Sequence, residues 1–247
     1  GGKKIIIHID KTFGSDAGNS STDCALRTGS WDSNTTLQVD LGGEGRCYGA
    51  GGKGGDGADG RSDFGPVTGS VGDGQDGSSA LGVEYSGTTV NMLSGAQLIA
   101  GYGGGGGGRG GRQVDSGADR TACGGGGGGG AGSPPGAAGE GGRRLSGNED
   151  EVASGSDGGA GSETVGGGGG NGGNNHNEAI GATGGVGGDS EQAAGAGGSV
   201  YNGKNTYGGN GAAGQSGAAI RRTSGITVTI NTNGQTINGS TTATGVS

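Results

Sequence analysis

A chain of 247 residues with 75 glycines, 26% apolar residues and 3% aromatics cannot close an ordinary side-chain core over most of its length. A formal net charge of −8 and an isoelectric point near 4.7 argue against a phosphate backbone or an anionic membrane surface as the main partner, and so against nucleic acid. No run of 18 apolar residues occurs. The length bounds the chain at one mid-sized domain or two small ones. The opening GGKKIIIHID holds too short an apolar stretch for a signal peptide, and the missing initiator Met reads as a fragment or a processed chain. Cys24, Cys47 and Cys123 are an odd, scattered set without a CxxC, which reads as free thiols of a protein assembled in a reducing compartment.

Residues 1–48 read as an N-terminal β-rich base, with Ile5 to Ile9 and Trp31 expected to supply much of its core. A repeat starts there: CALRTGSWDSNTTLQVDL (24–41), SALGVEYSGTTVNML (79–93) and AAIRRTSGITVTINTNGQTI (218–237) each run Ala, an aliphatic residue, a turn and an alternating strand. The alternation of Leu37, Val39 and Leu41, of Val90 and Met92, and of Ile226, Val228 and Ile230 gives one buried face per strand. Residues 218–247 are expected to join the base as C-terminal strands, with 78–101 inserted between.

Residues 49–217 are different in kind. Gly-rich segments recur at 49–60, 69–77, 102–111, 123–132, 136–142, 153–161, 166–173, 181–188, 195–198 and 208–217, ten in all. A flexible linker is the default reading of CGGGGGGGAG (123–132), because glycine loses more conformational freedom on ordering than any other residue. Collagen requires Gly at every third residue and abundant Pro, whereas this chain has 3 Pro. The alternative is a bundle of extended, polyproline II-like helices of glycine lying side by side. Their N–H and C=O groups point sideways, and without Cβ atoms the backbones come close enough to bond one another. The expected fold class is therefore all-β and irregular. It combines a small β-structured base with a sandwich of about ten polyglycine II helices and almost no α-helix.

If successive segments reverse direction, the connectors sort by parity between the two ends. One set is RSDFGPVT (61–68), RQVDSGADRTA (112–122), RRLSGNEDEV (143–152), NNHNEAI (174–180) and SVYNGKNTY (199–207); the other is SPP (133–135), SETV (162–165) and DSEQAA (189–194), plus the long insertion 78–101. The first set is mostly longer and richer in Arg, Tyr, aliphatics and Asn, and the second is mostly short turns of small polar residues. Variable loops on a rigid scaffold are where binding usually lives.

The ALRTGSW turn with its following strand, the ladder of Gly-rich runs, and the AAIRRTSGITVTI ending resemble the glycine-rich tips of bacteriophage tail fibres. The similarity is to T-even-type long-tail-fibre adhesins and to the Gly-rich modules that end some central tail fibres. The resemblance covers most of residues 24–247. It implies a virion protein made in the host cytoplasm and carried at the distal tip of a fibre shaft. It further implies that the distal loops bind a bacterial outer-membrane protein or surface saccharide. The contact residues so expected are Phe64, Val67, Arg112, Val114, Asp115, Arg143, Arg144, Leu145, Val152, Asn174, His176, Ile180, Tyr201, Asn202, Lys204 and Tyr207, with Tyr201 and Tyr207 as anchors.

Other motifs carry less. GxGxxG recurs by chance at this glycine content. GSVYNGK (198–204) lacks the Ser or Thr that follows the Lys of a P-loop, and GGDGADGRS (54–62) approaches a calcium nonapeptide but has Arg61 at its apolar position and no tandem copy. His8 and His176 have no partner at ligand spacing, and no nucleophile or carboxylate pair sits in a catalytic motif. No cofactor, no metal and no enzyme activity are expected. Two further classes remain open, an ice-binding Gly bundle and a surface-polysaccharide-degrading tip enzyme, alongside a purely structural fibre module.

Overall fold

The computed structural model describes residues 2–16, 20–60, 71–115, 118–145, 152–175, 179–198, 205–207 and 209–246. Among the described residues all regular structure is strand, as the scarcity of helical periodicity implies. In chain order the strands are β1 (Lys3–Ile9), β2 (Thr12–Gly14), β3 (Cys24–Arg27), β4 (Thr35–Leu41), β5 (Arg46–Tyr48), β6 (Ser79–Val83), β7 (Thr88–Met92), β8 (Gln97–Ile99), β9 (Gly110–Asp115), β10 (Ala118–Ala122), β11 (Val152–Ala153), β12 (Asn174–Asn175), β13 (Ala179–Ile180), β14 (Asn205–Tyr207), β15 (Ile220–Arg222), β16 (Val228–Asn231), β17 (Thr236–Asn238) and β18 (Ala243–Thr244).

The base is a three-faced parallel β-solenoid. Its sheets are ordered β1-β4-β7-β16, β2-β5-β8-β17 and β18-β15-β6-β3, and every pairing in them is parallel. The three sequence repeats are thus successive rungs, stacked on a first rung made by β1 and β2. Register aligns like with like: Ile7, Val39, Val90 and Ile230 form one ladder, and Phe13, Cys47, Leu98 and Ile237 another. Leu26, Leu81 and Ile220 form a third. The middle rungs close completely, with Val39, Cys47, Leu81, Val90 and Leu98 at 0% exposure. One corner turns through Gly43, Gly95 and Gly234 at φ 49°, 87° and 75°, a left-handed conformation that glycine adopts without a Cβ clash.

Two expectations about this core fail. Trp31 is 38% exposed on the corner between β3 and β4, held by its indole N–H donating to Thr28 O at 2.9 Å. Ile6 is 40% exposed because alternation along β1 turns it outward, leaving Ile5, Ile7 and Ile9 to face in. Aligned inward residues, stacked rung on rung, make the core instead.

The Gly-rich segments emerge from a single corner of this solenoid, after β5 and again after β8. Their hydrogen bonds repeat every third residue. Gly51, Gly54, Gly57 and Gly60 donate to the carbonyls of Pro134, Ala137, Glu140 and Arg143, while Gly52, Gly55 and Ala58 donate to Tyr102, Gly105 and Gly108. Segment 49–60 therefore addresses two different neighbours with successive residues, and among the described residues no Gly-rich segment makes a backbone hydrogen bond to itself.

Segment 123–132 meets six neighbours. It donates from Gly127 to Gly55, from Gly126 to Ser156 and from Gly128 to Gly185, and it accepts from Gly105, Gly139 and Gly170. Segment 102–111 is the other interior strand, bonded to segments 49–60, 69–77, 123–132, 181–188, 195–198 and 208–217. With neighbours on all sides every residue of these two segments except Arg109 is buried, and they carry the longest uninterrupted Gly runs. A Cβ on Gly127 would lie 2.0 Å from the Gly105 carbonyl oxygen. The polyglycine run is a packing surface.

Outer segments need glycine only where they touch. In GGKGGDGADG (51–60) the third-residue positions Lys53, Asp56 and Asp59 escape the interior. Several such acidic residues complete the backbone ladder at the rim. Asp56, Asp59, Asp73, Asp76 and Asp157 each accept, at 2.7–2.9 Å, from a main-chain N–H of an adjacent segment, at Glu140, Arg143, Ala212, Gln215 and Gly141 respectively. Part of the acidic composition thus satisfies backbone donors that would otherwise face water alone.

Candidate recognition end

The longer connectors converge at the end of the bundle remote from the solenoid. β9 and β10 form an antiparallel hairpin from connector 112–122, with Thr121 opposite Arg112. β14, from connector 199–207, pairs antiparallel with β9 through Asn205 opposite Arg112. β11, from connector 143–152, pairs in parallel with β10 through Val152 opposite Thr121. The β12–β13 hairpin of connector 174–180 packs against β9, β10 and β11. Gly60, immediately before connector 61–68, bridges to Arg144. Residues 61–70 lie outside the described residues.

The short turns sit at the opposite end. Ser133 N–H donates to Gly49 O, Gly132 N–H to Ser162 O, and Ala131 N–H to Gly188 O, beside the cluster of Tyr48, Ile99, Ala100, Tyr102 and Ala131 that joins bundle to solenoid. Parity counting therefore separates the described connectors as the sequence implies.

The expected contact residues divide into groups. Arg143, Arg144 and Leu145 are exposed, with Leu145 at 51%; Asn174 is exposed and Ile180 half-buried. Val152 and Arg112 are corrections: they are 3% and 7% exposed. Val152 turns inward because β11 docks on β10 and because Gly60, lacking a Cβ, leaves room for its methyl group; an added Cβ there would lie 3.0 Å from Val152 Cγ1. Arg112 lies in mid-sheet between β10 and β14. Val114 and Asp115 are on β9 and Tyr207 on β14, with their side chains outside the description. Phe64, Val67, His176, Tyr201, Asn202 and Lys204 lie outside the described residues.

Arg143 is the best-defined charged group of this end. Its guanidinium donates to the Glu140 carboxylate and its main-chain N–H donates to Asp59 Oδ1 at 2.7 Å. A shallow concavity of about 480 Å³ is lined by Arg143, Arg144, Val152, Ala153 and Ser154. Sequence reasoning passed over Arg109 and Asn175. Both belong to this end, and Arg109 Nε and Asn175 Nδ2 are buried with no hydrogen-bond partner among the described residues. The signal for Arg109 was available, since it is the single large side chain interrupting GGGGGGRGG, but the run reads as scaffold throughout.

The thiols are free, and burial pushes Cys47 up to about 12 and Cys24 and Cys123 up to about 11, which makes all three poor nucleophiles. Among the described residues no group of three His, Cys, Asp or Glu side chains is placed to hold a metal ion. No family model and no curated protein matches the chain. Among solved structures, 97% of this chain is similar to 71% of a chain from the gp37-gp38 adhesin tip complex of the bacteriophage S16 long tail fiber, at a TM-score of 0.37 and 19% sequence identity.

Proposed function

We propose that the chain is a phage tail-fibre tip adhesin, a virion component whose loops bind a receptor on the bacterial surface. In this reading the Gly-rich segments are polyglycine II helices acting as a rigid stand, and the solenoid faces the fibre shaft. One observation carries the proposal. Connectors 112–122, 143–152, 174–180 and 199–207 meet in one patch, although long Gly runs separate them in sequence. A module serving only to extend a fibre has no use for variable side chains gathered at one end. The three-residue hydrogen-bond repeat supports the polyglycine II assignment.

Mixed charge, tyrosine and aliphatic residues suit the extracellular loops of an outer-membrane protein better than a bare saccharide, which calls for more aromatic platforms. The tip binds without chemical turnover in this reading, and it holds no cofactor. The test is adsorption of the purified protein to a panel of Gram-negative hosts and to their mutants lacking single outer-membrane proteins or carrying truncated lipopolysaccharide. Loss of binding on deletion of one outer-membrane protein is expected. Tyr201→Ala, Tyr207→Ala or Leu145→Ala should weaken adsorption by about 2 kcal/mol where the residue is a hot spot, with unchanged thermal unfolding. Full adsorption by all three variants, together with loss of adsorption by variants in the solenoid, would overturn the tip assignment.

A further inference from the structure

Positive charge in the bundle is confined to one end. Rim carboxylates such as Asp56, Asp73, Asp76 and Asp157 line the Gly-rich segments, yet every Lys and Arg of residues 49–217 except Lys53 falls in one of the five longer connectors or within three residues of one. Lys53 is itself paired with Asp56 at 3.0 Å. The same connectors also carry acids, so local geometry has to single out a site.

It does so at the concavity of about 480 Å³, where Arg143 and Arg144 line one volume with the uncharged Val152, Ala153 and Ser154. No carboxylate is among these lining residues. The Arg143 guanidinium donates to the Glu140 carboxylate, but both side chains are well exposed, at 72% and 59%, so water screens the pair. Arg144 is exposed too, and among the described residues no side chain pairs with it. A second observation points the same way. Among the described residues the buried side-chain polar atoms left without a hydrogen-bond partner are Arg109 Nε and Asn175 Nδ2, both at this end and both donors. Asn175 is 3% exposed on β12, two residues after Gly173, where an added Cβ would lie 2.3 Å from Ala153 O and 2.8 Å from Ser154 O. The spare hydrogen-bonding capacity beside the concavity is donor capacity.

We infer that the concavity is a carboxylate-binding subsite, filled by an Asp or Glu side chain on an extracellular loop of the receptor. The inference rests on the recognition reading and gives it one specific contact. The Arg144 guanidinium supplies a planar fork of donors that matches the two oxygens of a carboxylate, and Arg143 adds a second positive charge beside it. Val152 and Ala153 turn apolar surface toward the methylene groups of the entering acid, which a phosphate group lacks. Charge complementarity of this kind sets the choice of partner more than the overall affinity.

The probe is N-acetyl-glutamate α-amide, titrated into the isotope-labelled full chain and followed by NMR, with N-acetyl-glutamine α-amide and inorganic phosphate as comparators. Saturating shifts are expected at the Arg144 Nε–H and the Ser154 main-chain N–H, with binding of the glutamine analogue about tenfold weaker and no saturation by either in Arg144→Gln. Adsorption to a host that the wild type binds should fall about tenfold in Arg144→Gln and further in Arg144→Glu. Arg144→Lys, which keeps the charge and loses the fork, should recover part of it. Thermal unfolding should not change, since Arg144 is exposed. No saturating shift, equal binding of the glutamine analogue, or tighter binding of phosphate would overturn the inference, the last in favour of a lipopolysaccharide phosphate. Normal adsorption by Arg144→Glu beside impaired adsorption by Leu145→Ala would overturn it and leave the recognition reading standing. Normal adsorption by every tip variant would bring down both.

Discussion

The solenoid and the Gly bundle solve one problem in opposite ways. Both stack extended backbone and satisfy its hydrogen bonds sideways. The solenoid fills the space between its sheets with aligned side chains, so Val39, Val90, Leu98 and Ile220 reach zero exposure. The bundle removes the side chains until the backbones themselves close-pack, so Gly127 meets Gly105 and Gly55 directly. The first core depends on apolar volume and the second on its absence. Entropy explains why the bundle needs so many neighbours: ordering each residue costs about 1–2 kcal/mol, more for Gly, and a six-neighbour segment recovers it through hydrogen bonds and Cα–H···O contacts.

The largest effects should come from exchanging the two rules. Gly127→Val puts a branched side chain against carbonyl groups that have nowhere to move, at a cost of about 3 kcal/mol or more. Gly168→Val, where an added Cβ meets nothing within 4 Å, should stay within about 0.5 kcal/mol. In the solenoid the damaging change runs the other way, with Leu98→Ala leaving a cavity that costs about 2–5 kcal/mol. Thermal unfolding of the three variants checks this. Equal losses at Gly127 and Gly168 would end the claim that the bundle has a backbone core.

How much of this was legible follows from the same contrast. The Gly segments announce themselves by composition, and their parity needs only counting, so the polarity of the bundle could be read from spacing. The solenoid repeats were visible as alternating strands, yet their stacking was not. Rungs two and three are separated by residues 49–78 and rungs three and four by residues 100–219, so no fixed sequence period marks the fold. Strands β9 to β14 were missed because strands of two to six residues are too short to show a hydrophobic alternation. Val152 and Arg112 were expected at the surface for the same reason: a connector read as a loop hides the pairing that buries them.

An intermediate effect tests the boundary between the two rules, where rim carboxylates cap bundle N–H groups. Asp73 Oδ1 accepts from Ala212 N–H at 2.7 Å across an exposed edge. Asp73→Ala leaves that donor to water and should cost about 1 kcal/mol, whereas Asp73→Asn keeps an acceptor and should cost less than half as much. Chemical denaturation resolves the difference, and equal costs for the two variants would mean that the carboxylate is merely a solvated surface charge.

The smallest effect belongs to a solenoid corner. Glu84 accepts from the Arg27 guanidinium and from Gly29 N–H at 2.9 Å, tying β3 to β6 beside the turn. The hydrogen bond from Arg27 holds the Glu84 carboxyl below its ordinary value, against the opposing effect of partial burial. A depressed carboxylate contributes stability that is fully present above the unfolded-state value, about 4.3, and is lost as pH falls through the lower folded-state value. The Arg27 side chain is 45% exposed, so solvent screens the pair and the gain is small. Other carboxylates titrate in the same window, which makes the comparison with Glu84→Gln the informative one. At neutral pH the wild type should unfold at a slightly higher temperature than the variant, and the gap should close as pH drops below 4.3. A gap that stays constant into acid would show that the corner is held by packing and by the turn, with the ion pair as a passenger.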